Sequence, residues 1–562
     1  MSLSISTDSE DLEYLNVVWK DEYDEHVSPD DGKRQLHIFS TEHRDAAEYI
    51  KSRPLTRSRA SSATLEKCLE RYKSCLNHEM CKKALRSNKR NTAPTRLLEI
   101  RPNSELHLYT VPQGENPLYA ALTYCWGNSQ QQQNAKTTSE NVKNRHGRID
   151  KCQLPQTIID AVKIARTLEL SYLWVDVFCI SKMKSIYRGA TITISAASAR
   201  DSTEGFLRDR DLKKAYGNLF KLPYYNKRAG HVVKGWLLLS EHPIADTYEE
   251  NIDKRAWTME EDILSLRLLR FGSKQTTWRC ATYPQAETID GGGCPTLKNK
   301  DYAFSVNSPH RNSEVRSNVL RIGPSGGESC VEADWFHVIS EYTLRSSKKP
   351  KDRLPACAAL AESFANIMGF KSSDYLAGLW KNNIHSHLLW YRLEGRKAAW
   401  ISEPSWSWAC ISGPIYFLGF ELSEPTSGAN IAKYVSSSME YKFRNYKYGE
   451  VVSGCLKLNG RLREVHWNYQ CLRRSADDPD VLPLEIYWDL SDGDSLDGPS
   501  WEKPVYCFEI FGTCNYSLGL LLVRNDKSGF RRAGCYEDTR ERGPSTMSSL
   551  FDETEPQNIE IH

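Results

Sequence analysis

No apolar run in these 562 residues approaches the roughly 20 that a membrane-spanning helix requires. The most apolar stretches, Tyr172–Ile180 and Leu518–Val523, have the length of strands. The first residues lack a basic segment followed by an apolar one, so no secretory signal is read there. A chain without span or signal is expected in the cytoplasm. An excess of one charge is missing too, since 74 Lys and Arg face 72 Asp and Glu. That balance removes the general electrostatic case for a nucleic-acid partner or an anionic membrane. Motifs that name a chemistry outright are also absent. There is no P-loop, no GxSxG elbow, no HExxH pair and no Gly-rich dinucleotide fingerprint. No internal repeat is found.

Cysteine and aromatic residues, by contrast, are plentiful. Sixteen Cys would suit a disulfide scaffold in a short secreted chain; spread through a long chain without a signal, they are expected as reduced thiols. Cys179, Cys280 and Cys507 lie in apolar runs, where Cys packs as a small hydrophobe. Fifteen Trp and 28 Tyr promise large packed cores. The length allows two to four domains of roughly 100–200 residues each.

Met1–Asp31 holds ten acidic residues and one Lys, and Arg53–Ser62 is basic and Ser-rich. Residues 1–62 are therefore expected as a disordered tail, with a short strand near Leu15–Trp19 at most. Residues 63–92 form a helical segment containing Cys and His, with Thr64 as candidate N-cap and Leu65, Leu69, Tyr72 and Leu76 at helical spacing. Residues 93–290 read as an α/β domain. Strands are expected at Arg96–Ile100, Leu106–Thr110 and Leu118–Cys125, then a polar loop holding Gln130–Gln133. A helix follows Pro155, with Ile158, Ile159, Val162, Ala165 and Leu168 on one face. The continuous run Tyr172–Ile180 suits a strand buried on both faces of a parallel sheet. Helix followed by buried strand is the signature of an α/β unit. Thr191–Ala197 and Trp236–Ser240 are further strands, Trp257–Leu264 a short helix, and Leu266–Phe271 with Gln275–Cys280 a hairpin. Gly291–Pro295 and Pro324–Ser329 mark a linker. Residues 330–398 read as helical, most clearly Leu354–Ile367. Residues 399–540 read as β-rich, with strands at Cys455–Leu462, Leu484–Leu490, Tyr506–Phe511 and Leu518–Arg524, and 541–562 as a disordered tail.

Short blocks within this frame resemble a known family. They are Tyr119-Ala-Ala-Leu-Thr-Tyr-Cys-Trp-Gly127; Leu154-Pro-Gln-Thr-Ile-Ile-Asp-Ala161 running to Tyr172-Leu-Trp-Val-Asp-Val-Phe-Cys-Ile180; Ile186-Tyr-Arg-Gly-Ala190 through Gly205; and Arg255-Ala-Trp-Thr-Met-Glu-Glu261. Asp352-Arg-Leu-Pro-Ala356, Tyr375-Leu-Ala-Gly-Leu-Trp380 and Pro404-Ser-Trp-Ser-Trp-Ala409 continue the series. In this order they resemble the fungal heterokaryon incompatibility (HET) domain family, with the domain core at residues 119–261. The resemblance implies a fungal protein of self/non-self recognition and programmed cell death, working with a protein partner, either an incompatibility factor or a second copy. It also implies an α/β domain distantly similar to the Toll/interleukin-receptor fold, some of whose members cleave NAD. NAD is thus the candidate cofactor of an alternative, enzymatic reading. One departure stands out. Where the family continues from Cys-Ile through a Trp-x-x-Glu helix, Ile180 is followed by Ser181-Lys-Met183 and at once by Lys184-Ser-Ile-Tyr187. Around fifteen residues of the family's pattern are absent, including the helix in which a catalytic Glu would be sought. Either this copy is degenerate or an exon boundary has been lost. A two-residue junction is also expected to be too short for a crossover between parallel strands.

Each candidate residue has a plainer reading beside it. Asp176, within an apolar run, is a catalytic candidate because ligands of open α/β sheets bind at the carboxyl ends of strands; otherwise it is a carboxylate bonded to backbone amides or to Arg188. Cys179 lacks a base or a helix N-terminus and is expected to pack. Trp126 and Gly127 follow a strand, where an indole can stack on a ligand and Gly permits close approach; equally, Trp126 caps the core. Arg255 and Trp257 are cofactor-binding candidates and Glu261 a second catalytic one, against a structural ion pair of Arg255 with Glu261. Adjacent helix positions point apart, so Glu260 and Glu261 are not expected to act on one atom. Cys68, Cys75, His78 and Cys81 have metal-ligand chemistry, but zinc sites draw ligands from separated segments and no second cluster is evident; packing is the expectation. Trp406 and Trp408 alternate as in a strand and are expected to anchor the β-rich part to the helical one.

Overall fold

A computed structural model describes residues 2–4, 14–18, 33–40, 50, 52–87, 93–178, 183–216, 218–228, 231–240, 250–283, 286–291, 328–347, 349–392, 404–418, 430–467, 471–473, 475, 482, 484–489, 504–512, 516–525, 529–539, 551 and 554–562. The chain divides into two units. The first comprises Met1–Asp253 and Glu261–Leu320, the second Lys254–Glu260 and Arg321–His562.

In chain order, the first unit begins with strands β1 (Ser2–Ser4), β2 (Tyr14–Val18) and β3 (Lys33–Phe39), then helices α1 (Ser62–Leu76) and α2 (Glu79–Ser87). Strands β4 (Arg96–Ile100), β5 (Leu106–Thr110) and β6 (Ala120–Thr123) follow, then helices α3 (Gln130–Asn134), α4 (Val142–Gly147) and α5 (Gln156–Thr167). Next come β7 (Tyr172–Trp174), α6 (Met183–Gly189), β8 (Ile192–Ser195), α7 (Leu212–Tyr216), β9 (Leu219–Arg228) and β10 (His231–Ser240). Helix α8 (Trp257–Ile263) starts in the second unit and returns the chain to the first at Glu261, and strands β11 (Arg267–Phe271), β12 (Thr276–Cys280) and β13 (Glu287–Thr288) complete the first unit.

Eight of these strands form one mixed sheet in the order β13-β12-β11-β8-β6-β7-β4-β5. Its centre is parallel: β7 pairs with β6, β6 with β8 and β8 with β11. By chain order those four run second, first, third, fourth, the arrangement of a doubly wound sheet. Every residue of β6 and β8 is buried, as expected where both faces are covered. Helix α5 contributes Ile158, Ala161, Val162, Ile164 and Ala165 to the core under this sheet, with Cys68, Tyr72 and Cys75 of α1 in the same cluster. A second, antiparallel sheet has the order β1-β2-β3-β10-β9.

Several expectations need correction. Within residues 1–62, β1 to β3 pair in the second sheet, Ile38 and Phe39 are buried, and the Arg59 guanidinium donates to the carbonyls of Arg208 and Ser273 at 2.9 Å each. Charge segregation outweighed this short apolar alternation in the sequence. Helix α1 is capped by Ser61, whose hydroxyl accepts from the Thr64 amide at 3.2 Å, so Thr64 lies inside the helix. Gln130–Gln133, expected in a loop, opens α3 behind its Ser129 cap. The run after α5 is a strand only over Tyr172–Trp174, and a turn follows in which the Phe178 amide donates to the Val175 carbonyl at 3.0 Å. Because β7 ends that early, residues 175–191, with α6 among them, make the crossover to β8. The short junction therefore leaves enough chain for a parallel connection. Cys179 and the junction residues 179–182 lie outside the described residues, as does most of the expected linker.

In the second unit, helices at Glu328–Thr343, Ala358–Met368 and Ile384–Leu388 alternate with short strands such as Trp390–Arg392. A ten-stranded sheet follows, with Val451–Gly460, Pro504–Gly512, Tyr516–Arg524 and Phe530–Thr539 among its strands. Gln557–Ile561, expected in a disordered tail, pairs antiparallel with Val451–Gly460 and buries Ile559 and Ile561. Trp406 lies in a turn and Trp408 opens a short helical turn, Trp408–Cys410, so the block is not a strand, and both rings are fully buried. Trp408 Nε1 donates to the Gly378 carbonyl at 3.1 Å, and Trp390 Nε1 to the Trp406 carbonyl at 2.9 Å.

Candidate functional site

The carboxyl ends of the parallel strands gather the first group of candidates. Strand β6 leads directly into Tyr124-Cys-Trp-Gly127, and β7 into Val175-Asp176. Trp126 Nε1 donates to Asp176 Oδ2 at 2.6 Å, a short bond between an indole N–H and a carboxylate. Lys136 Nζ lies 5.3 Å from the centre of the Trp126 ring. Asp176 is thus at a strand exit and half-buried, not sealed within an apolar strand.

Gly127 is required where it stands. Its φ is +69°, and a Cβ there would come within 2.5 Å of the Asp201 Cβ. The loop after β8 crosses closely here: the Ser202 amide donates to the Trp126 carbonyl at 3.4 Å, and the Ala196 amide to the Thr123 carbonyl at 3.0 Å. Sequence reasoning passed over Ser198 and Ser202. Both hydroxyl oxygens are buried without a hydrogen-bond partner among the described residues. Both follow the third strand of the doubly wound order; Ser202 lies beside the exit of the first, where ligands of such sheets bind, whereas the Ser198 amide donates to the Phe271 carbonyl of β11 at 2.9 Å. Buried hydroxyls without partners are uncommon enough to point to a missing one. Nothing in their local sequence marks them.

The blocks around these strand ends brace one another. Asp160 of α5 accepts the Phe206 and Leu207 amides at 2.7 and 3.0 Å on a single carboxylate oxygen. Gly205, at φ +70°, leaves room for that carboxylate. The Tyr119 hydroxyl donates to the Ile186 carbonyl at 2.6 Å, and burial pushes that phenol above its ordinary range. Tyr187 returns a bond to the Leu122 carbonyl at 3.2 Å. The segment after the junction thus docks on β6 despite the residues missing before it.

Glu261 is buried in the first unit and accepts the Thr123 hydroxyl at the end of β6. Glu260 accepts the Ala359 amide at 2.6 Å in the second unit, so the adjacent carboxylates serve different partners. Arg255 and Trp257 also belong to the second unit: the Thr258 hydroxyl donates to the Arg255 carbonyl at 2.8 Å, and Trp257 Nε1 to Asp352 at 3.4 Å. The structure therefore joins Trp126, Gly127 and Asp176 at the strand ends, with Glu261 of α8 bonded to Thr123 on the strand that leads there, and ties Arg255 and Trp257 into a network of the second unit.

Of the thiol candidates, Cys68 stays in the core, where burial raises its thiol to about 12. Cys75, His78 and Cys81 meet at the α1–α2 turn, and Cys280 of β12 joins them.

Four parallel strands in doubly wound order define an α/β domain whose strand ends gather Trp126, Gly127 and Asp176. Residues 119–261, which hold the first four of the resembling blocks, match the family described as Heterokaryon incompatibility protein (HET), so the chain carries a HET domain. No curated protein and no solved structure matches the chain. Among the described residues no helix is long and apolar enough to cross a membrane.

Proposed function

We propose that this protein acts in self/non-self discrimination between fusing fungal cells and triggers regulated cell death in the cytoplasm through its HET domain. The observation that carries the reading is the match over residues 119–261, whose blocks are hydrogen-bonded to one another. Protein recognition, of an incompatibility factor or of a second copy, is the trigger. The test is regulated expression of the full chain in a filamentous fungus. Growth arrest with uptake of a vital dye supports the reading, and normal growth at equal protein level contradicts it.

A second reading is favoured by one feature, the Trp126–Asp176 pair with the partnerless Ser202 hydroxyl on the segment that bonds the Trp126 carbonyl. In it the strand ends take NAD: Trp126 stacks on a ring, and Asp176 engages a ribose hydroxyl or the developing charge at the glycosidic carbon. Glu261 then steadies β6 through Thr123 and does not reach the substrate. Incubation of the purified chain with NAD distinguishes the readings: nicotinamide release that Asp176→Ala abolishes supports the enzyme, and its absence at high protein concentration excludes it.

A further inference from the structure

Three side chains that close spacing singled out, and one that it did not, converge on a point. Cys75 ends α1, His78 lies in the turn, Cys81 opens α2 and Cys280 ends β12. One ligand atom from each lies within 4.8 Å of every other. Cys75 Sγ and Cys81 Sγ are 3.4 Å apart, and His78 Nδ1 is 3.8 Å from the sulfurs of both Cys81 and Cys280. A tetrahedral zinc with ordinary bond lengths sets its sulfur and nitrogen ligands about 3.6–3.8 Å apart. Three Cys and one His is also among the donor sets of closed, structural zinc sites.

The charge around the cluster points the same way. Arg267 of β11 is buried, donates from Nε to Cys75 Sγ and from Nη1 to the Thr191 carbonyl at 3.1 Å each, and makes no ion pair with a carboxylate among the described residues. A buried guanidinium calls for an anionic partner. Three thiolates around a dication carry a net charge of about −1, which is the partner Arg267 lacks. Thr282 Oγ1 lies 3.4 Å from Cys81 Sγ, a second hydrogen bond to a ligand sulfur. Three neutral thiols, or a Cys75–Cys81 disulfide, would leave the guanidinium with no counter-charge.

We propose that Cys75, His78, Cys81 and Cys280 hold one zinc ion that clasps the α1–α2 turn to β12. Three ligands precede the residues matched by the HET family and the fourth follows them, so the ion fastens the two ends of the domain together. Binding forms three Zn–S bonds and one Zn–N bond, and the displaced thiol protons pass to solvent. The ion takes no part in chemistry, because all four tetrahedral positions are protein ligands.

The test uses the full chain purified under reducing conditions. Elemental analysis should find about one zinc per chain in the wild type and close to none in Cys280→Ser, with exposed Cys152→Ser as the control that keeps it. Should Cys280→Ser fail to fold, the wild type still decides. Exchange of its metal for cobalt(II) should give the intense thiolate-to-cobalt absorption of a tetrahedral sulfur-rich site, and His78→Ala should weaken binding at least about 10-fold. Zinc retained in full by Cys280→Ser, a reduced wild type with neither zinc nor the cobalt spectrum, or a Cys75–Cys81 disulfide in the freshly isolated chain would each overturn the proposal.

Discussion

The indole N–H of Trp126 donates to the carboxylate of Asp176 at 2.6 Å, tying the loop after the first parallel strand to the turn after the second. Fifty residues of sequence, three helices among them, separate the two ends of this bond. Trp126→Phe keeps the ring and removes the donor. It should lower stability by about 1.5–3 kcal/mol, the usual range for a hydrogen bond to a charged group, read as a fall in the urea midpoint at unchanged slope. A midpoint equal to the wild type would mean that solvent satisfies Asp176 equally well.

Asp160 offers a sharper structural test, because one carboxylate oxygen serves two buried amides. Asp160→Ala leaves the Phe206 and Leu207 N–H groups without an acceptor, at a cost of about 1–3 kcal/mol each. The measured loss should exceed that of Asp160→Asn, which retains an acceptor oxygen. Equal losses would show that charge, rather than acceptance, holds the loop.

Gly127→Ala places a methyl group against Asp201 at a backbone angle that L-residues avoid. Conformation alone costs about 1–2 kcal/mol, and displacement of Asp201 adds to it. Gly114 makes the control, since it shares a positive φ of +90° with open space around it. Its Ala variant should pay only the conformational part, and hydrogen exchange of the Ser202 amide should accelerate only in Gly127→Ala.

The second unit carries a pH signature. His387 is fully buried, with Phe336 at 4.7 Å and neither ring nitrogen hydrogen-bonded among the described residues. Burial, with a smaller push from His385, lowers it to about 3 from an unfolded value near 6.5. Above the unfolded value both states are neutral and the group has no effect. As pH falls from 6.5 towards 3 the unfolded chain takes up a proton that the folded one refuses, so stability drops by up to about 1.4 kcal/mol per unit. His387→Phe should flatten the stability curve over that window and leave it unchanged at pH 8.

The sequence announced its elements far better than their meeting points. The hairpins Arg96–Thr110 and Arg267–Cys280, helix α5 and the long C-terminal strands were legible because apolar periodicity is local. Strand β7 was over-extended because Val175, Val177 and Phe178 are as apolar in a turn as in a strand, and so Asp176 was read as enclosed when it stands at the exit. Cys280 was read as packing. Its role depends on an antiparallel pair that sets it against a helix far earlier in the chain, which no spacing rule reports. Ser198 and Ser202 gave no signal at all, since a missing partner is a property of three-dimensional surroundings. Arg255 and Trp257 shared a motif with Glu261, yet the chain passes from one unit to the other within that motif.

Whether the proposed death-inducing activity of the HET domain depends on the Trp126–Asp176 pair is tested most directly by a viability count. Wild type, Asp176→Asn and the control Cys152→Ser should be induced at matched protein levels in a filamentous fungus, with melting curves recorded for each. Wild type and Cys152→Ser should reduce viable counts by at least about 10-fold, whereas a folded Asp176→Asn should leave them at the uninduced level. Equal killing by folded Asp176→Asn and wild type would contradict that dependence.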